Sequence, residues 1–207
     1  AVPENIAAFL THSIEQLPDT IRETLMLAAC IGKTFDLHTL ASLAEQPLRA
    51  ALDTLLAAMD EGLVRSLDAG YKMIPTLPEA EQADVQCRFE FTHNRFRQAC
   101  YGLLRKKRRK TLMLTLGRLR LGSLEPADIA EHSFELAELF NESFQYVKED
   151  QEKLRIAELN LMAGRKAKNA TAYQSAIWYL SMGIGLLPPR SKWIDHYDLT
   201  LSLYLEA

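Results

Sequence analysis

Cysteine is scarce in this chain. The three present, Cys30, Cys87 and Cys100, are an odd number at irregular spacing with no C-x-x-C. That excludes a disulfide framework and a four-cysteine zinc site. Each lies in apolar sequence, which predicts buried thiols in a reducing compartment. Long apolar runs are missing too: nothing approaches the roughly 20 residues that cross a bilayer. The opening Ala1-Val2-Pro3-Glu4-Asn5 has no basic signal-peptide character and reads as the middle of a protein. A soluble, cytoplasmic fragment without membrane contact is expected. No sign of charge dominates: 24 Lys and Arg stand against 27 Asp and Glu, a net charge of -3, so no polyanion is implied as the main partner.

Catalytic signatures are also lacking. His12, His38, His93, His132 and His196 are scattered with no H-E-x-x-H, so no metal is expected. Gly32-Lys33-Thr34 ends like a phosphate loop but has no earlier glycine and follows a helical pattern rather than a strand. No His-Arg-Asp or Asp-Phe-Gly is present. Cys100 and His93, two helical turns apart, stand about 10 Å from each other along an axis and do not make a nucleophile pair, so Cys100 is expected as a core thiol. No catalytic residue is assigned, and no enzyme is expected of these residues.

What is present is helical periodicity. Ile6, Phe9, Leu10, Ile14 and Leu17 predict a helix over 4–17. Pro18 opens a second helix that Gly32 ends, Asp36 caps a third, and Pro47 opens a fourth that Gly62 stops. Residues 63–67 alternate like a strand, with Tyr71 to Ile74 as a returning partner. Residues 75–86, with two prolines and three acids, predict an exposed loop, and Cys87 to Thr92 predict a strand. Helices follow at about 94–104 and 105–121, then one opened by Pro126 and carrying Ile129, Phe134 and Phe140. Two long ones are predicted at about 150–168 and 170–187, and a last one starts near Ser191. The expected fold is mainly α: a winged-helix-like half with a small sheet, then antiparallel helical pairs. The domains expected are 1–104 and 105–207.

Two surfaces compete for a functional reading. Arg105, Lys106, Lys107, Arg108, Arg109 and Lys110 form a basic run that suits a phosphate backbone or a protein partner. Residues 125–158, with ten acids and three basic residues, can neutralise a basic helix beside them. The candidate reading helix, 47–60, offers Arg49 as its only cation, which argues against nucleic acid. Trp178, Tyr179, Trp193 and Tyr197 could line a groove, although aromatics at helical spacing are more often core.

The segment Phe89-Glu90-Phe91-Thr92-His93-Asn94, running straight into Arg95–Tyr101, resembles the strand-to-helix step of the winged-helix domain in STAND signalling ATPases. PENIAAFLTHSIEQLP and ETLMLAACIGKTFDLHTLA are similar to bacterial multidomain kinases of that class, and the similarity spans nearly the whole chain. The stretch Ala170–Leu180, closing at Pro188, resembles the second helix of a tetratricopeptide repeat, with 154–168 as the first. The resemblance implies a regulatory region that packs on an upstream nucleotide-binding domain of the same chain, where ATP or ADP would sit, with a protein partner on the helical repeats. It implies that His93 and Asn94 face the nucleotide phosphate. Asn94 stands where relatives carry Asp, which removes the ionic part of such a latch. The alternatives are a DNA-binding winged-helix regulator and a stand-alone scaffold. A His packing beside the sheet end remains the bland reading of His93.

Overall fold

Helix α1 (Glu4–Glu15) ends before Pro18, whose extended backbone hands the chain to Asp19 at the start of α2 (Asp19–Ile31). Arg22 ties this corner by donating to the Glu15 carbonyl at 3.0 Å. The computed structural model describes Glu4–Ala207, with side chains from Phe9 onward. Ala1–Pro3 and the side chain of Ile6, both used in the sequence reading, lie outside the described residues. The chain forms two units, Ala1–Leu112 and Met113–Ala207.

In the first unit α2 is buried without a break from Thr24 to Cys30. No amphipathic stripe gives such a run; the helix is covered on several sides, here by α3 (Leu37–Leu43), α4 (Leu48–Asp60) and α6 (Asn94–Leu103). Strand β1 (Thr34–Asp36) links α2 to α3, and Asp36 caps α3 by accepting the Thr39 N–H at 2.7 Å. Helix α4 ends in a Schellman motif: Gly62, at φ 71°, donates to the Met59 carbonyl, and Leu63 donates to Ala58. Then come β2 (Val64–Ser66), the four-residue α5 (Glu79–Gln82) and β3 (Arg88–Phe91).

The sheet is antiparallel with β3 in the centre, in the order β1-β3-β2. Phe35 sits opposite Phe89, and Val64 opposite Phe91. The period of two sends Phe35, Phe89 and Phe91 inward, where all three are buried, and turns Glu90 the other way toward Lys33 and Arg65.

The predicted return strand at Tyr71–Ile74 is corrected. Gly70–Lys72 and Ile74–Thr76 are single 3₁₀ turns, and β2 pairs with β3 instead. Pro75 has no N–H for a ladder. Asp68 bonds the Arg88 N–H at 3.0 Å, so the chain turns away before it can fold back on β2. The 75–86 segment is not all exposed loop either: Gln82 is buried and donates to the carbonyls of Ile74 and Leu77.

The second unit holds most of α7 (Lys106–Ser123), with α8 (Ser133–Ser143), α9 (Asp150–Asn169), α10 (Tyr173–Leu186) and α11 (Tyr197–Glu206). Helices α9 and α10 form a close pair. A Cβ on Gly164 would lie 2.6 Å from Leu180, and one on Gly183 would lie 2.8 Å from Leu203 of α11. Ala137, Ala163, Ala167 and Ala176 keep the neighbouring layer thin, and Tyr179 fills it. The Tyr179 hydroxyl donates to Glu138 at 3.1 Å, and burial, first, then that carboxylate push its pKa up to about 12.

Three further expectations are corrected. Pro126 does not open a helix: 126–132 is a chain of turns on the carbonyls of Glu125 and Asp128, and α8 starts only at Ser133. Ser191 likewise begins turns, closed by Thr200 Oγ1 on the Lys192 carbonyl, and α11 starts at Tyr197. Of the four aromatic residues, Tyr179 alone is core; Trp178, Trp193 and Tyr197 are about half exposed.

Helix α9 ends with Thr171 at φ 58°, where Ala172 donates to Ala167 and Thr171 to Lys168. A left-handed β-branched residue costs about 1–2 kcal/mol. Thr171→Gly is therefore expected to raise stability by about 0.5–1 kcal/mol after the entropy of glycine is set against it, read as a higher urea midpoint.

Candidate functional site

The step from β3 to α6 is built by Thr92. Its Oγ1 donates to the carbonyls of Gly62 and Leu63, at 2.8 and 3.0 Å, and its N–H also bonds Leu63. The strand end is thereby tied to the Schellman turn of α4, and the next residue is held out at the surface. That residue is His93. It is extended (φ −136°, ψ 136°) and is itself the N-cap of α6, with its carbonyl accepting from Phe96. Its ring is exposed and lies 5.9 Å from the Phe96 ring.

Asn94 is the first helical residue. Its side chain accepts from Arg97 Nε at 3.1 Å instead of closing a backbone N–H. Arg97 also donates to the Ala29 carbonyl at 3.3 Å, which anchors α6 against the carbonyl end of α2. The start of α6 thus has no side-chain cap, and its first N–H groups face outward with a positive partial charge. An open groove of about 480 Å³ lies there, lined by Leu10, His93, Asn94, Arg95 and Phe96. A second of about 420 Å³ shares Leu10 and Arg95 and runs along Ala99 to Leu103.

Cys100 is on the buried side of the same helix, with its thiol pushed up to about 12 by burial. Cys87 is buried as well, its thiol pushed up to about 11 by burial and then by Asp68. Thiols held that high are not thiolates at neutral pH and carry no nucleophile.

The basic run divides. Arg108 pairs with Glu23 of α2, and the Arg109 guanidinium lies 5.0 Å over the Tyr101 ring. Arg105, Lys106 and Lys107 are exposed and Lys110 is half-buried. Four cations occupy the first turn of α7 with no acid among them, against the sense of the helix dipole. The ion pairs to the acidic stretch come from further along α7: Arg118 grips Glu152 with two bonds of 2.7 and 2.8 Å, and Arg120 reaches Glu135 at 3.4 Å.

Arg118 holds the Glu152 carboxyl below its usual range through that hydrogen bond. A depressed carboxyl stabilises the fold above its unfolded pKa and loses that contribution as pH falls through the folded one. With the guanidinium half in solvent the pair is worth about 0.5–1 kcal/mol. Glu152→Gln is expected to cost that at pH 7 and nothing in strong acid, measured by urea titration at both.

Among the described residues no group of three or more His, Cys, Asp and Glu is placed to hold a metal ion. No described helix is long and apolar enough to cross a membrane.

No protein-family profile matches the chain, and no solved structure matches it. It is similar to hybrid signal transduction histidine kinase G of Dictyostelium discoideum, 24% identical over an alignment that takes in 98% of this chain and 7% of that protein. The chain thus spans a small fraction of the length of the curated relative it matches.

Proposed function

We propose that this chain is a non-catalytic regulatory region of a larger signalling protein. The observation that carries the signalling reading is the alignment to the Dictyostelium kinase, which takes in almost all of this chain and leaves most of that protein outside the matched stretch. The first unit acts as a winged-helix-like module. The order α2-β1-α3-α4-β2-α5-β3, with β3 central, supports that reading. The second unit acts as a helical-repeat platform, supported by the tight α9–α10 pair and the third helix packed on it.

In this proposal the first unit packs on a nucleotide-binding domain of the same polypeptide. His93 and the uncapped start of α6 meet a phosphate of bound ADP there. Helix-start N–H groups attract such an anion, and the exposed His93 ring can donate an N–H beside them. Asn94 adds no charge. The latch is therefore weaker than an ionic one, and exchange of ADP for ATP, or a partner on the helical unit, shifts the balance between closed and open states.

In the longer polypeptide, His93→Ala is expected to speed release of a fluorescent ADP about tenfold, equivalent to about 1.4 kcal/mol. Unchanged release would remove the latch, and a polypeptide that binds no nucleotide would remove the ATPase-associated reading. Duplex DNA binding by the exposed lysines of α7 is the alternative. It is disfavoured by α4, whose single cation Arg49 shares the helix with Asp53 and Asp60. Binding that weakens steeply with salt would restore it.

A further inference from the structure

Helix α10 contains no charged residue in its 14 positions, YQSAIWYLSMGIGL. A helix of that composition is ordinarily covered all round. This one is covered on one side only. Ala176, Tyr179, Leu180, Gly183 and Leu186 are buried against the rest of the unit. On the opposite side Tyr173 is 60% exposed, Ile177 52% and Trp178 47%. Ser181 and Gly185 continue the same face, and a Cβ on Gly185 would meet nothing within 4 Å. The exposed face of α9, by contrast, carries charge: Glu158, Arg165, Lys166 and Lys168.

We propose that this outward face of α10 is the contact between two copies of the chain, related by a two-fold axis. Three features of the face favour a second copy. A two-fold contact places a patch against itself, so every charge in it would meet its own kind. An uncharged patch carries no such penalty, whereas a face built for a charged partner would present complementary charge. The second feature is relief. Ser181 and Gly185, four residues apart on one face, leave a shallow channel at which two helices can approach, while Ile177 and Trp178 stand on its border. The third is area. Half-exposed side chains of about 150–250 Å², with the smaller residues between them, present on the order of 500 Å² per copy. Two copies then bury about 1,000 Å² in all, the lower bound for a specific interface and the range of reversible contacts.

The proposal goes beyond the regulatory reading above and does not depend on it. The test uses the 207-residue chain. Sedimentation over a wide concentration range is expected to show a reversible monomer–dimer equilibrium. Ile177→Glu and Trp178→Lys, each on an exposed side chain, are expected to shift it toward monomer by at least tenfold in Kd while far-UV circular dichroism stays unchanged. Cys30, Cys87 and Cys100 are buried, so a single new thiol can be read alone. Ser181→Cys is expected to give a disulfide-linked dimer under mild oxidation, and Ser42→Cys, at the exposed position of the mostly buried α3, is not. A chain that stays monomeric at every concentration overturns the proposal and assigns the face to another protein. A dimer that survives both substitutions, or that cross-links equally through Ser42→Cys, overturns it by placing the contact elsewhere.

Discussion

Phe89→Ala is expected to lower stability by about 3–5 kcal/mol, the range for removing a fully buried aromatic ring. Phe89 is 0% exposed in the central strand. Its ring stacks on Phe35 at 6.1 Å and meets Tyr71 at 6.0 Å, so two other segments of the first unit lean on it. The cavity has little means of closing, because Phe35 and Ser66, its neighbours across the sheet, are held in register by backbone bonds. Total stabilities are about 5–15 kcal/mol, so the variant would retain only part of its folding free energy. The adjacent Glu90 supplies the control. It faces the other way, toward Lys33 and the solvent-exposed Arg65, and Glu90→Ala is expected to cost no more than about 1 kcal/mol. Urea titrations followed by circular dichroism compare the two. Equal costs would mean that the sheet does not present its faces as described.

Asn160→Leu is expected to cost about 3 kcal/mol, and adding Asn141→Leu is expected to recover most of it. The two amides lie buried between α8 and α9 and exchange reciprocal bonds: Asn141 Nδ2 to Asn160 Oδ1 at 2.8 Å, and Asn160 Nδ2 to Asn141 Oδ1 at 2.9 Å. Asn160 also donates to the Ile156 carbonyl at 2.9 Å. Replacing one amide strands both a donor and an acceptor of the other, at about 1–3 kcal/mol per unsatisfied group. Replacing both with apolar side chains of similar shape strands neither. The double variant should therefore lie within about 1 kcal/mol of the parent, a coupling far outside ordinary additivity. Simple addition of the two single costs would show that the amides act separately. The pair also fixes which turns of α8 and α9 meet, since a slide of one turn breaks both bonds.

Legibility in the sequence followed the range of the forces involved. Helices α2, α4 and α9 were readable because their starts and stops are local: Pro18, Gly62, the acids Asp150 and Glu152. Strand β3 was readable from the alternation of Arg88 to Phe91. Strand β1 was missed: at three residues it has no pattern of its own and exists because β3 offers it a ladder more than fifty positions away. The strand misassigned to Tyr71–Ile74 fails for the converse reason, since local alternation there found no partner. Pro126 and Ser191 carry genuine helix-start chemistry, but the turns they open close on side chains and carbonyls that stop them propagating. At the candidate site the place of His93 after the strand was legible. Its position as the N-cap of α6 was not, because that depends on Thr92 bonding the turn after α4. The exposure of Trp178 was hidden as well, because composition does not say which side of an uncharged helix is left uncovered.

Both tryptophans of the chain, Trp178 and Trp193, belong to the Met113–Ala207 unit, and the other unit has Tyr71 and Tyr101 as its only tyrosines. Indole emission excited at the red edge is therefore a native optical label for one half of the molecule. A ligand that quenches it acts on the helical half or is relayed to it, and the half that carries His93 is dark in that channel.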